Sequence, residues 1–220
     1  LHPFLLFLSV NNSSVKQIYQ SIVFIHFIEV VCFSAICFKC QGVSNHSHFF
    51  HSQLESVLDA FPIRYSKTGM LANREIIECV ADVVGKYNLQ LIVDPVMVST
   101  SGSRLLEDSA VFAMREKLFP RAKWITPNIP EAEILLGEAI NKQGDLPAAA
   151  RRLAEQYGVS VLLKAGHLVN DELIDIFYNH ETEEVVELSA RRIDTRNTHG
   201  TGCTLSSALA AQLAKGLSLT

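Results

Sequence analysis

The sequence predicts an α/β fold, a mainly parallel, doubly wound sheet flanked by helices, and three observations carry that expectation. From about residue 47 onward, helical apolar stripes alternate with short apolar runs of strand length. Those runs are continuous, as in strands covered on both faces, and polar residues gather at their ends. One alternating pair of segments, residues 173–178 and 184–189, marks an antiparallel hairpin late in the chain. With 220 residues, 48% hydrophobic and 19% charged, the chain can bury one sizeable core without disulfide staples.

The elements follow in order. Leu54, Val57, Leu58 and Phe61 share one helical face, before a short strand at Ile63 to Ser66 and a turn at Lys67-Thr68-Gly69. Asn73 is placed to cap the next helix, whose stripe is Ile76, Val80, Val83, Val84 and Tyr87. Leu91-Ile92-Val93 reads as a buried strand; Pro95 cannot continue it, so Asp94 stands at its carboxyl end. A helix around Ser109 to Phe119, a strand at Trp124-Ile125-Thr126, and a turn at Pro127-Asn128-Ile129-Pro130 lead to a helix from near Glu131. Another helix spans about 147–157, and the strand Val161-Leu162-Leu163 ends at Lys164 and Gly166. The hairpin around Asn179-His180-Glu181, a glycine turn and a helix with Leu205, Leu209 and Leu213 close the pattern.

Residues 1–40 differ from this, so the chain divides into an atypical hydrophobic segment (1–40) and an organised domain (41–220). The first part holds six of the twelve Phe and three of the five Cys, but only three charged residues, Lys16, Glu29 and Lys39. Residues 21–38 are apolar enough to raise a membrane span; their short length, with His26 and Glu29 near the middle, argues against one. Cys32, Cys37 and Cys40, with His46, His48 and His51 behind them, match only part of a metal-binding spacing. A net charge of −4 without basic clusters argues against nucleic-acid binding and for a small-molecule partner. Five scattered cysteines form no secreted disulfide framework, which fits a reducing cytoplasm.

Chemistry concentrates at residues 194–204, Asp-Thr-Arg-Asn-Thr-His-Gly-Thr-Gly-Cys-Thr, just before the last helix. Gly200 and Gly202 let backbone approach an anion, and the helix start offers free N–H groups with the positive end of the dipole. Cys203 sits on that first turn, where positive potential lowers a thiol's pKa and favours proton abstraction. An ordinary glycine turn and a buried, inert Cys are the alternative reading. Asp94 and Glu131 are candidate carboxylates for a magnesium ion or its water shell, or a turn residue and a first-turn charge. Asn128 reads as a helix cap or a phosphate ligand, and Lys164 as a point charge for a triphosphate or a solvated side chain. Residues 99–103 form a hydroxyl-rich loop, a lid or a solvated turn, and Met70 offers an apolar wall for a flat ring or core packing.

Five ordered segments carry a family resemblance: Lys-Thr-Gly-Met-Leu (67–71), Val-Asp-Pro-Val-Met-Val-Ser-Thr-Ser-Gly (93–102), Thr-Pro-Asn-Ile-Pro-Glu-Ala-Glu (126–133), Leu-Lys-Ala-Gly-His (163–167) and Asn-Thr-His-Gly-Thr-Gly-Cys-Thr (197–204). From about Gln41 to Thr220 the chain resembles the hydroxymethylpyrimidine/phosphomethylpyrimidine kinases of the ribokinase-like superfamily. The resemblance implies ATP- and Mg2+-dependent phosphorylation of 4-amino-5-hydroxymethyl-2-methylpyrimidine and of its monophosphate in thiamine biosynthesis. It implies that Cys203 stands where related sugar kinases carry an Asp base, with Gly200, Thr201 and Gly202 forming the anion hole. Asp94, Asn128 and Glu131 then belong to the magnesium and phosphate network, Lys164 to the nucleotide site, and Met70 and Val96 to the pyrimidine pocket.

Two departures from the family pattern accompany it. Nothing in residues 1–40 matches the family's opening strand and Gly-rich segment, and the pattern stops soon after the last helix. The expectation drawn from them is a fragment or misassembled product with foreign sequence joined near residue 41, incomplete at both ends. A weak ligand-binding remnant and a pyridoxal-type kinase of the same superfamily stand as alternatives. A homo-oligomer is compatible with the sequence.

Overall fold

The computed structural model describes residues 30–32, 46–99, 102–166, 172–191 and 200–216. Among the described residues seven strands form one sheet: β1 (Val30–Cys32), β2 (Tyr65–Thr68), β3 (Gln90–Val93), β4 (Ala122–Ile125), β5 (Ser160–Leu163), β6 (Glu172–Tyr178) and β7 (Val185–Arg191). Neighbours in the sheet are neighbours in sequence; β1 to β5 run parallel, and β6 and β7 add antiparallel to that edge. The helices are α1 (His46–Ala60), α2 (Arg74–Tyr87), α3 (Asp108–Ala113), α4 (Ile129–Leu136), α5 (Leu146–Tyr157) and α6 (Thr201–Ala214).

Strand alternation divides the buried side chains between two faces. Leu91, Val93, Ile125, Val161, Leu163 and Ile176 join the larger core with α1 to α5, whereas Ile92, Trp124, Leu162 and Phe177 meet Leu205, Leu209 and Ala210 of α6. The mainly parallel sheet flanked by helices thus stands as expected. Strand order follows chain order among the described strands. Successive crossovers of one hand lay their helices on one face. The second face is covered when α6 returns across β1, β2 and β3.

Local chemistry explains the boundaries. Asn73 caps α2 by accepting the Ile76 N–H at 3.0 Å, as its sequence position predicts. Lys67 and Thr68, expected in a turn, instead end β2, because Lys67 pairs with Cys32 on one side and Ile92 on the other. The helix expected through Phe119 changes character: α3 passes into a π turn (Met114–Leu118) and a 3-10 turn (Phe119–Arg121). There Arg115 Nη2 donates to the carbonyls of Ile134 (2.5 Å) and Leu135 (3.0 Å), satisfying the end of α4.

Most of residues 1–40 lie outside the described residues, as do Cys37, Cys40 and the proposed junction near residue 41. The exception is β1, drawn from the apolar stretch 21–38 and paired in parallel with β2. His51 stands on α1 with Nδ1 3.1 Å from Glu55 Oε2. Among the described residues there is no group of three metal-ligating side chains, and no helix is long and apolar enough to cross a membrane.

Candidate active site

Three successive parallel strands deliver polar residues to one place. Asp94 follows β3, Thr126 follows β4 and Lys164 follows β5, each on the face that α6 covers. Lys164 Nζ lies 2.8 Å from Asp94 Oδ1, with side chains only 8% and 3% exposed, and Thr126 Oγ1 donates to the same oxygen at 3.2 Å. A buried pair of this kind is stable only when both partners keep their bonds; loss of one strands a charge. Burial alone would push the Lys164 ammonium down, but Asp94, Glu131 and Asp175 outweigh it and hold it above its ordinary value.

Asn128 and Glu131 form a capping box at the start of α4. Asn128 Oδ1 accepts the Glu131 N–H at 2.9 Å, and Glu131 Oε2 accepts the Asn128 N–H at 2.8 Å. Asn128 also forms a parallel bridge with Lys164, whose N–H donates to the Pro127 carbonyl at 2.9 Å, so the box is tied to the end of β5. Glu131 is only 2% exposed. Burial pushes its carboxyl up to about 7, against the pull of Lys164 and the backbone N–H groups of Asn128 and Met97, while Asp94 adds to the push.

The glycine turn closes the group from above. Gly200 adopts φ 78° as the N-cap of α6, a left-handed geometry that suits a residue without Cβ. Gly202 matters through proximity: a Cβ there would lie 3.2 Å from Lys164 Nζ and 3.4 Å from Asp94 Oδ2. The start of a fourteen-residue helix therefore rests on the buried charge pair. Thr201 and Cys203 are half-exposed on its first turn. Residues 192–199, including Asn197, Thr198 and His199 of the turn, lie outside the described residues, as do Thr100, Ser101 and His167.

Asp94, Lys164, Asn128, Glu131 and Gly202 are thus brought together, and Gly200, Thr201 and Cys203 stand at the adjoining helix start. Met70 and Val96 are half-buried after the ends of β2 and β3, on the rim of the same sheet edge. The described part of the 99–103 loop is a closed turn, with Ser99 N–H donating to Ser103 O at 2.8 Å beside a cleft lined by Asn128, Pro130 and Ile134. The sequence does not single out Thr126 or Lys67 as site residues. Thr126 carried a visible signal, a hydroxyl at a strand end before Pro127. Lys67, 1% exposed on β2 with no hydrogen-bond partner for Nζ among the described residues, belongs in the sequence to a turn and to the first of the five family segments, with no role of its own.

A buried cation–carboxylate pair beneath a glycine-started helix is an arrangement suited to phosphate. Residues 38–220 match the family described as phosphomethylpyrimidine kinase. The chain belongs to that family. It is similar to the hydroxymethylpyrimidine/phosphomethylpyrimidine kinases of Rhizobium meliloti (42% identical over 169 residues, 76% of this chain and 63% of the relative) and Haemophilus influenzae (45% over 168 residues, 75% and 62%). It spans a little under two thirds of the length of these curated relatives. Among solved structures it resembles the phosphomethylpyrimidine kinase of Clostridium difficile, with TM-score 0.67 and 34% identity over 79% of this chain and 70% of that one. It also resembles a Bacillus subtilis pyridoxal kinase in complex with ADP, with TM-score 0.70 and 34% identity over 80% and 70%. The family membership and the ribokinase-like fold expected from the five motifs therefore hold, and the phosphomethylpyrimidine kinase family is the frame for the site.

Proposed function

We propose that this chain transfers the terminal phosphoryl group of ATP to the hydroxymethyl oxygen of 4-amino-5-hydroxymethyl-2-methylpyrimidine, and in a second step to the resulting monophosphate. The observation that supports this most directly is the contact of Gly202 with Lys164 and Asp94, which brings helix N–H groups and an ammonium to bear on one point. Anionic oxygens developing in transfer would be stabilised there by groups already oriented.

The donor set also fits magnesium. Asp94 pairs with the Lys164 ammonium and the charges of Glu131 and Asp175 also act on it, so the fully ionised cluster carries an excess of negative charge. Asp94 Oδ2 is directed toward Gly202, while Glu131 is committed to backbone N–H groups, so Asp94 would hold the ion directly and Glu131 through its water shell. When bound, magnesium would neutralise charge on the phosphate oxygens.

The chain's own residues would do the rest. Met70 and Val96 would flank the pyrimidine ring, and Lys164, Asn128 and the Gly200–Gly202 turn would hold the phosphates. Cys203 Sγ, as thiolate, would take the proton of the substrate hydroxyl as its oxygen bonds to the γ-phosphorus; the bond to the bridging oxygen breaks and ADP leaves with that electron pair. Because a loose transition state asks little of the base, positioning would supply most of the acceleration.

Replacing Cys203 with Ala should lower kcat by about 10²-fold, the low end of general-base effects, with little change in nucleotide affinity. Unchanged turnover would remove the thiol from the mechanism. The resemblance to pyridoxal kinases supports a second reading in which a pyridoxal-type alcohol is the acceptor, and a chain that binds ligand without turnover is the third. ADP release measured with each alcohol separates all three. A cytoplasmic setting goes with this reading, in line with the scattered cysteines.

A further inference from the structure

Asp175 is a fully buried carboxylate in the middle of β6, flanked on that strand by Leu173, Ile174, Ile176, Phe177 and Tyr178. Ile176 and Tyr178 face the larger core and Phe177 faces α6, so alternation gives Asp175 the α6 face that also carries Lys164. Leu163 pairs with Ile176, which leaves Lys164 and Asp175 adjacent where the regular pairing ends.

A carboxylate without solvent is costly unless it bonds well, and an apolar residue would fill this position without that cost. One bond it makes bears on the site directly: Asp175 Oδ1 accepts the N–H of Ala165 at 2.7 Å, on the residue immediately after Lys164. Its charge also acts on the Lys164 ammonium. The other charged groups at this point, Asp94 and Glu131, approach Lys164 from β3 and α4, whereas Asp175 holds its main chain from the opposite strand.

We propose that Asp175 is a positioning residue of the site: by accepting the Ala165 N–H it fixes the backbone just beyond Lys164 and so holds the ammonium against Asp94, beneath the α6 turn. This rests on the reading of Lys164 as part of the nucleotide site. It acts through Lys164 and touches no reacting atom.

Two substitutions separate its roles. Asp175→Asn keeps an acceptor oxygen, whereas Asp175→Leu keeps the volume and removes the acceptor. Binding of the non-hydrolysable ATP analogue AMP-PCP with Mg2+, measured by calorimetry on the full chain, should stay within about threefold for Asp175→Asn and weaken by about tenfold or more for Asp175→Leu. In a Lys164→Met background the Leu substitution should cost less than about twofold further, since its route of action is gone. Equal losses from Asn and Leu, parent-like binding by Asp175→Leu, or full additivity with Lys164→Met would each overturn the proposal. Absence of binding by the parent, or parent-like binding by Lys164→Met, would instead overturn the nucleotide reading. Amide exchange at Ala165 then tests the anchor independently: slow in the parent and in Asp175→Asn, fast in Asp175→Leu. Should the Leu variant fail to fold, fast exchange at Ala165 in a folded Asp175→Asn chain would overturn the anchor, and slow exchange would support it.

Discussion

At the scale of single residues the site depends on one missing methyl group. A Cβ on Gly202 would come 3.2 Å from Lys164 Nζ and 3.4 Å from Asp94 Oδ2, so the helix start and the charge pair share space that only glycine leaves open. Helix propensity pulls the other way, since Gly is about 1 kcal/mol worse than Ala in a helix interior. Gly202→Ala should therefore change thermal stability by less than about 1 kcal/mol while weakening nucleotide binding by about tenfold, as the ammonium is displaced. Calorimetric unfolding and titration on the same sample check this; parent-like affinity would mean that the close approach carries no binding role.

At the scale of elements, α4 links the site to the sheet. Its capping box satisfies two of the N–H groups a helix start leaves open, and the Asn128–Lys164 bridge ties that start to β5. Asn128→Ala removes one side-chain acceptor but keeps the Asn128 N–H that bonds Glu131. It should cost about 1 kcal/mol, seen as a fall of about 2–4 °C in Tm. A Tm unmoved by the substitution would show that the cap is satisfied by solvent instead.

The elements were legible in the sequence where local chemistry decides them. Leu91-Ile92-Val93 could only be a buried strand, and Asn73 and Asn128 sit where caps belong. Lys67 and Thr68 misled because Lys-Thr-Gly has turn composition, whereas pairing with two neighbouring strands decides the matter. Asp94, Lys164 and Gly202 were each recognisable as candidates from their strand-end or glycine-turn positions, although their mutual contact depends on how α6 docks. Asp175 gave no signal at all. On an alternating strand an Asp reads as solvent-facing, and its burial follows from α6 covering that face.

At the scale of the whole molecule, buried carboxyl groups set the response to pH. Burial raises Glu131 to about 7 and Asp175 to about 6, from 4.5 and 3.8. Between the unfolded and folded values the native state holds protons that the unfolded chain releases, so the contribution of these two groups to stability is full below about pH 4 and is lost as pH rises toward 7. Each group contributes on the order of 3 kcal/mol by this linkage. Tm should fall between about pH 4 and pH 7, and the combined Glu131→Gln and Asp175→Asn variant should flatten that decline. A Tm that rises over this range would contradict the protonation of both groups in the folded chain.

The return of α6 across β1, β2 and β3 divides the site between two inheritances. The sheet supplies Asp94, Lys164 and, through α4, Glu131, whereas the glycine turn and Cys203 arrive on a helix packed on the face opposite α1 to α5. Under the proposed mechanism, substitutions in α6 would therefore exchange the side chain at position 203 while the carboxylates and ammonium beneath it stay as they are. The thiol of Cys203 is then a replaceable part of the proposed mechanism, laid over a charge cluster that the sheet supplies.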